Sequence, residues 1–206
     1  MGGYGVAKGE SCVAGGGAIP HVSRICKLWG GTRAYGESMN EQDMPRLGVT
    51  GEHTTAGVPA GYTSLTPFLA VAGAKEAIEF YREVFGARVL GVTEMGGVVV
   101  HAELDFGQGR LQLGEPHPDF GLVPAPAGDE DCYSMGLYCA DVDGLVARAQ
   151  RAGATIRKPL STFVSGDRFA SIRDPFGVRW SLMSRVEDLT EAESGRRVAE
   201  WAAAQG

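Results

Sequence analysis

Residues 65–86 read LTPFLAVAGAKEAIEFYREVFG, and residues 133–153 read YSMGLYCADVDGLVARAQRAG. Both stretches open on a period of two and pass into a helical period. In the first, Leu65, Leu69 and Val71 alternate with Thr66, Phe68 and Ala70, and then Ala74, Ala77, Ile78, Tyr81, Val84 and Phe85 fall at helical spacing. In the second, Tyr133, Met135, Leu137 and Cys139 alternate with Ser134, Gly136 and Tyr138. Asp141 can then cap a helix striped by Val142, Leu145, Val146 and Ala149. Gly86 and Gly153 each supply a left-handed stop.

The sequence after each stop repeats as well. Residues 89–93 form a short strand, Val98, Val100, Ala102, Leu104 and Phe106 alternate along a longer one, and Leu111 and Leu113 mark a third. In the second half, 155–157, 169–173 and 178–183 take the same places, the last two joined by the turn Asp174-Pro175-Phe176-Gly177. The expected fold class is α+β, with two βαβββ modules, 61–115 and 132–187, forming cupped mixed sheets within a domain spanning 58–187. Residues 116–131, rich in Pro, Gly and acid, link them. A C-terminal helix is expected within 188–206, where Thr190 and Glu193 stand at capping-box spacing before Val198, Trp201 and Ala202.

Residues 1–57 are glycine-rich, with Gly15-Gly16-Gly17 and no sustained apolar period, and read as a flexible extension. The triple glycine lacks the Lys-Ser/Thr of a phosphate loop, and Met39 and Met44 are candidate downstream starts. Over all 206 residues, 44% are hydrophobic and 21% charged, enough apolar side chain for a core. Nineteen Lys and Arg against 25 Asp and Glu leave a net charge of -6, which disfavours a nucleic-acid partner. No apolar run reaches the ~18 to 20 residues that cross a bilayer, so no membrane partner is expected and the location is read as cytoplasmic. Cys12, Cys26, Cys132 and Cys139 lack metal-binding or disulfide-framework spacing.

Several short stretches within this frame resemble the vicinal oxygen chelate superfamily of glyoxalases, extradiol dioxygenases, fosfomycin-modifying enzymes and bleomycin resistance proteins. They are Val58-Pro59-Ala60-Gly61-Tyr62, Thr66-Pro67-Phe68-Leu69, Ala77-Ile78-Glu79-Phe80-Tyr81, His101-Ala102-Glu103-Leu104, Gly166-Asp167-Arg168 and the Asp174 turn with Trp180. The opening is similar to that of the PhnB-like subgroup. The resemblance implies that metal-dependent members carry a ligand on the first and last strand of each module, usually His, Glu or Gln. Registering the repeat puts these positions on Thr66, Gln112, Ser134 and Ser181. Hydroxyls and one amide are poor ligands for a divalent transition metal, so neither metal nor other cofactor is expected.

The alternate strand residues, among them Phe68, Val99, Gln112, Ser134, Tyr138 and Ser181, are then expected to line a pocket for a small organic molecule, as in the drug-sequestering branch. The acidic balance favours a cationic ligand. His101 and Glu103 share a strand face and are the candidate catalytic pair, with His101 as general base or as a metal ligand helped from outside the inherited positions. A structural hydrogen-bonded pair is the plain alternative. Arg168 or Arg173 could reach an anionic group, or form a surface ion pair, and whether Phe169 and Ser171 or Ala170 and Ile172 face the pocket is open. Exposed strand edges and the tail helix suggest a homodimer. A dimeric scaffold with a vestigial pocket is a third reading. No glycine-flanked serine nucleophile or dinucleotide fingerprint occurs.

Overall fold

The structure is a computed structural model, and it describes residues 47–206. The expectations placed on 1–46, including the triple glycine, Cys12, Cys26 and the alternative starts, lie outside the described residues.

Two short strands, β1 (Thr54–Thr55) and β2 (Val58–Pro59), pair antiparallel across Ala56 and Gly57, both at positive φ. This hairpin straddles the expected boundary at 57. The first module follows as β3 (Phe68–Ala70), α1 (Ala74–Phe85), β4 (Arg88–Met95), β5 (Val98–Asp105) and β6 (Arg110–Gly114). The second is β7 (Met135–Tyr138), α2 (Val142–Arg151), β8 (Thr155–Thr162), β9 (Asp167–Arg173) and β10 (Arg179–Arg185), and α3 (Glu191–Ala203) closes the chain. The two four-stranded sheets have equivalent orders, β3-β6-β5-β4 and β7-β10-β9-β8. In each, the strand before the helix pairs parallel with the last strand, and the other pairings are antiparallel. The α+β class and the duplicated βαβββ order are therefore as the sequence predicts.

The helices cover one face of the sheets, and the apolar stripes meet there. Leu69, Ala102, Leu104, Leu113, Ala170, Ile172, Trp180 and Leu182 from the strands join Ala77, Tyr81, Leu145 and Ala149 from α1 and α2 in a single core. Asp174 sits inside it. Its carboxylate accepts from Tyr81 Oη at 2.7 Å, Trp180 Nε1 at 2.9 Å, and the backbone N–H of Phe176 and of Val178 at 2.9 Å each. Tyr81 belongs to module one and Asp174 to module two, so this buried group fastens the halves together. Burial pushes the Asp174 carboxyl above its usual range despite these donors, and burial next to Asp174 keeps the Tyr81 phenol protonated.

Four local departures from the expected pattern have physical causes. Leu65 is 79% exposed and lies outside β3, which begins only after Pro67. Val99 is 1% exposed and belongs to the helix-packed core, not to the pocket wall. In the β4–β5 ladder Thr93 faces His101 and Glu94 faces Val99, so Val100 is an extra residue, and the bulge reverses the alternation. Strand β8 runs through Pro159 to Thr162 because it is an edge strand, where a missing N–H is tolerated. In α3 the Thr190 hydroxyl accepts from Glu193 N at 3.2 Å, but the Glu193 carboxylate turns to Arg196 and Arg197, which hold it down to about 2. Trp201 packs edge-on against Phe163 at 4.9 Å between ring centroids.

Candidate functional site

Each sheet keeps a second face that the helices leave uncovered, and most of the polar candidates stand on these faces. In module one, Phe68 on β3, Gln112 on β6 and Glu103 on β5 are successive partners in register across three strands. His101 lies two residues from Glu103, with its ring 6.1 Å from that of Phe68. The acidic partner expected for His101 is engaged elsewhere. Glu103 Oε1 accepts from Arg110 Nη1 at 3.1 Å, with both side chains more than four-fifths buried, and the Arg110 guanidinium lies 4.0 Å over the Tyr62 ring. Among the described residues, no hydrogen bond joins His101 to Glu103. Arg110 stands two residues before Gln112 on the same strand, so alternation alone places it on this face, but no spacing in the sequence pairs it with Glu103.

In module two, the register Ser181–Gly136 and Met183–Tyr138 puts Ser134, Tyr138, Ser181 and Met183 on one face. Ser134 and Ser181 meet, their hydroxyl oxygens 3.0 Å apart. Across β10, Ser181 pairs with Ser171 and Met183 with Phe169, while Ala170 and Ile172 are fully buried in the core, which resolves the orientation of β9. Tyr138 is 57% exposed. Arg168 points to the helix side, where its Nε and Nη2 donate to the two oxygens of the Asp143 carboxylate. Arg173 is committed to the chain itself: Nε donates to the Gly177 carbonyl at 3.2 Å, and Nη1 and Nη2 donate to the carbonyls of Gly128 and Pro126.

The structure therefore brings Ser134 and Ser181 into contact in module two, whereas in module one Gln112 stands in register with Phe68 and adjoins Thr66 only through the backbone. Gln112 N donates to the Pro67 carbonyl next to Thr66, and the Thr66 hydroxyl donates to the Thr63 carbonyl at 3.3 Å. None of these four groups is an imidazole, carboxylate or thiolate, and three of the hydroxyls already have protein partners. The donor set does not fit a divalent transition metal. Among the described residues, no group of three or more His, Cys, Asp or Glu side chains is arranged to hold a metal ion.

A cleft of about 910 Å³ opens beside β7, the edge strand of its sheet among the described residues. Met135 through Ala140 form one wall, the 106–111 hairpin with Leu65 and Pro67 forms the other, and Trp180 and Arg185 also line it. Of the residues proposed from sequence, Tyr138 alone lines this cleft. The opposite wall belongs to the other module, and no sequence periodicity relates the two.

A family model described as the Glyoxalase/Bleomycin resistance protein/Dioxygenase superfamily matches residues 60–182, which take in module one, most of module two, and Thr66, Gln112, Ser134 and Ser181. The chain belongs to this superfamily. It is 33% identical over 135 residues to uncharacterized protein Rv0887c of Mycobacterium tuberculosis, covering 63% of this chain and 79% of that one. The corresponding protein Mb0911c of Mycobacterium bovis is also 33% identical over 135 residues, with 88% of its length covered. Among solved structures, TioX from Micromonospora sp. ML1 is similar at 27% identity and a TM-score of 0.48, covering 62% of this chain and 100% of TioX. No helix among the described residues of this superfamily member is long and apolar enough to cross a membrane.

Proposed function

We propose that this superfamily member binds a small organic molecule without the help of a metal, in the manner of a bleomycin-resistance-type sequestering protein. The observation that carries the reading is the Ser134–Ser181 hydroxyl pair, 3.0 Å apart where a metal-dependent relative would place two ligands. Thr66 and Gln112 at the other two positions support it. Phe68 and Tyr138, 37% and 57% exposed, offer aromatic surface beside these polar groups, and the cleft at the β7 edge has room for a drug-sized guest. A PhnB-like affiliation and a cytoplasmic, homodimeric protein go with this proposal. A second copy would cover the exposed faces and the edge that β7 presents among the described residues.

The enzymatic alternative rests on His101, whose half-buried imidazole stands on the same face. Glu103 faces Arg110 instead of holding an imidazolium, which is why binding is the favoured reading.

The test is a thermal-shift screen of small aromatic and basic compounds, run with and without EDTA, followed by metal analysis of freshly purified protein. Ligands that raise Tm equally in both buffers, and lose their effect in Tyr138→Ala, are the expected result. Stoichiometric zinc, nickel, manganese or iron that survives dialysis overturns the metal-free reading.

A further inference from the structure

Three arginines meet at the end of the linker. Arg157 on β8, Arg173 on β9 and Arg179 on β10 come from adjacent strands, and their guanidinium groups converge on the carboxylate of Asp131, whose side chain is 7% exposed. The fit is incomplete. Arg179 Nη1 donates to Asp131 Oδ2 at 3.1 Å, but Arg157 Nε stands 3.8 Å from Oδ2 and Arg173 Nε 3.8 Å from Oδ1, beyond hydrogen-bond length. Arg157 Nε and Asp131 Oδ1 are both buried, and neither has a hydrogen-bond partner among the described residues. Natural proteins rarely leave such groups unpaired, because a buried donor or acceptor without a partner keeps its full desolvation cost.

The segment that delivers Asp131 is weakly tied. Residues 123–131 make no backbone–backbone hydrogen bond among the described residues. They are held by the arginines themselves, through Arg173 to the Pro126 and Gly128 carbonyls and Arg157 to the Asp129 carbonyl at 2.5 Å and its carboxylate at 3.2 Å. The Asp129 side chain is 99% exposed, so one buried carboxylate faces three guanidinium groups. A polar track leads away from them. Arg179 Nε donates to Ser171 Oγ at 2.9 Å, Ser171 faces Ser181 across the ladder, and Ser181 meets Ser134.

We propose that Arg157, Arg173 and Arg179 form a binding subsite for a small organic carboxylate. Asp131 is its internal stand-in, and residues 126–131 are a strap that the incoming carboxylate displaces. A free ligand can settle deeper than a side chain tethered to the strap and offer an acceptor to Arg157 Nε, which Asp131 fails to reach, and to the Arg157 and Arg173 Nη groups that the displaced strap releases. The net charge of -6 points the other way, toward cations. Distance decides between them: salt screens carboxylates more than about 8 Å away, whereas these guanidinium groups act at contact in a partly dehydrated site. The subsite deepens the small-molecule reading, on which only the role of the serine track depends. The arginines can be tested independently of it.

The experiment titrates the full chain calorimetrically with benzoate, using benzamide as the neutral control of equal shape, at ionic strength fixed with sodium chloride. Because the closed strap competes for the site, Asp131→Ala is expected to bind benzoate at least tenfold more tightly than the unmodified chain, with no gain for benzamide. Arg179→Ala in the Asp131→Ala background is expected to abolish the gain. Equal benzoate affinity with and without Asp131, or an equal gain for benzamide, overturns the proposal. Should Asp131→Ala unfold, the unmodified protein is read by NMR. At saturating benzoate the Arg157 Nε–H resonance shifts while that of exposed Arg88 does not, and a stationary Arg157 resonance overturns the proposal. Stoichiometric bound metal would refute the metal-free reading without altering these outcomes, and failure here leaves that reading standing.

Discussion

Replacing Tyr81 by Phe isolates one bond that joins the two modules. The ring keeps its packing, 5.3 Å from the Trp180 ring and stacked on Phe85 at 5.7 Å, and only the hydroxyl that donates to Asp174 at 2.7 Å is lost. A hydrogen bond to a charged acceptor contributes ~1.5 to 3 kcal/mol net, so the variant is expected to be about 2 kcal/mol less stable. For a domain of this size that lowers Tm by roughly 4 to 8 °C. Asp174→Asn goes further. An amide cannot accept on both sides of the group, and Trp180 Nε1–H or two backbone N–H groups are left facing a donor, at a cost of about 3 to 5 kcal/mol. Urea unfolding of both single variants and the double variant reads these values, with unchanged m-values expected for Tyr81→Phe. The Asp174 carboxyl is raised in the folded protein, which therefore binds its proton more tightly than the unfolded chain does. Its titration contributes stability that is complete below the ordinary value of 3.8 and declines as pH rises through the folded value. The gap between the parent protein and Asp174→Asn should accordingly narrow as pH rises through that window. A Tyr81→Phe effect below about 0.5 kcal/mol would refute the view that this bond fastens the modules.

The bulge at Val100 predicts that Val99→Ser destabilises by about 2 to 3 kcal/mol while Val98→Ser, at a position 47% exposed, stays within about 0.5 kcal/mol; uninterrupted alternation predicts the reverse, and urea midpoints decide. Arg110→Ala strands the largely buried Glu103 and removes the guanidinium from the Tyr62 ring, for an expected loss of about 2 kcal/mol by the same measurement; Glu103→Gln, which removes the charge but keeps an acceptor, should cost less. Thr190→Ala removes the cap of α3 and should raise amide exchange in residues 191–203 through local opening worth about 1 kcal/mol, leaving the β5 and β10 amides unchanged. The Glu193 carboxylate, held at about 2 by Arg196 and Arg197, supports that helix above the ordinary value of 4.5 and loses its effect as pH falls through about 2, so protection of α3 should fade in strong acid before that of the sheets.

Periodicity carried the duplicated architecture, because a buried sheet face and a buried helix face impose their spacings directly on the chain. Leu69 and Val71, the α1 and α2 stripes and the two stop glycines state it without any tertiary information. Alternation likewise put Ser134 and Ser181 on one sheet face, where their hydroxyls meet, whereas their standing as ligand positions came from the family resemblance and not from the period. What lay beyond the sequence were relations between groups with no fixed spacing along the chain. Glu115 at the end of β6 supplies the cap that α1 lacks locally, accepting from Ala74 N at 2.7 Å. The bulge at Val100 shifts Val99 into the core, Arg110 takes Glu103 from His101, and Asp131 falls among three arginines from three strands. The order of strands and helices is a matter of local period and burial, so the sequence determined it alone. Which charge meets which, and which donor is left over, depends on distances that only the packed sheets define.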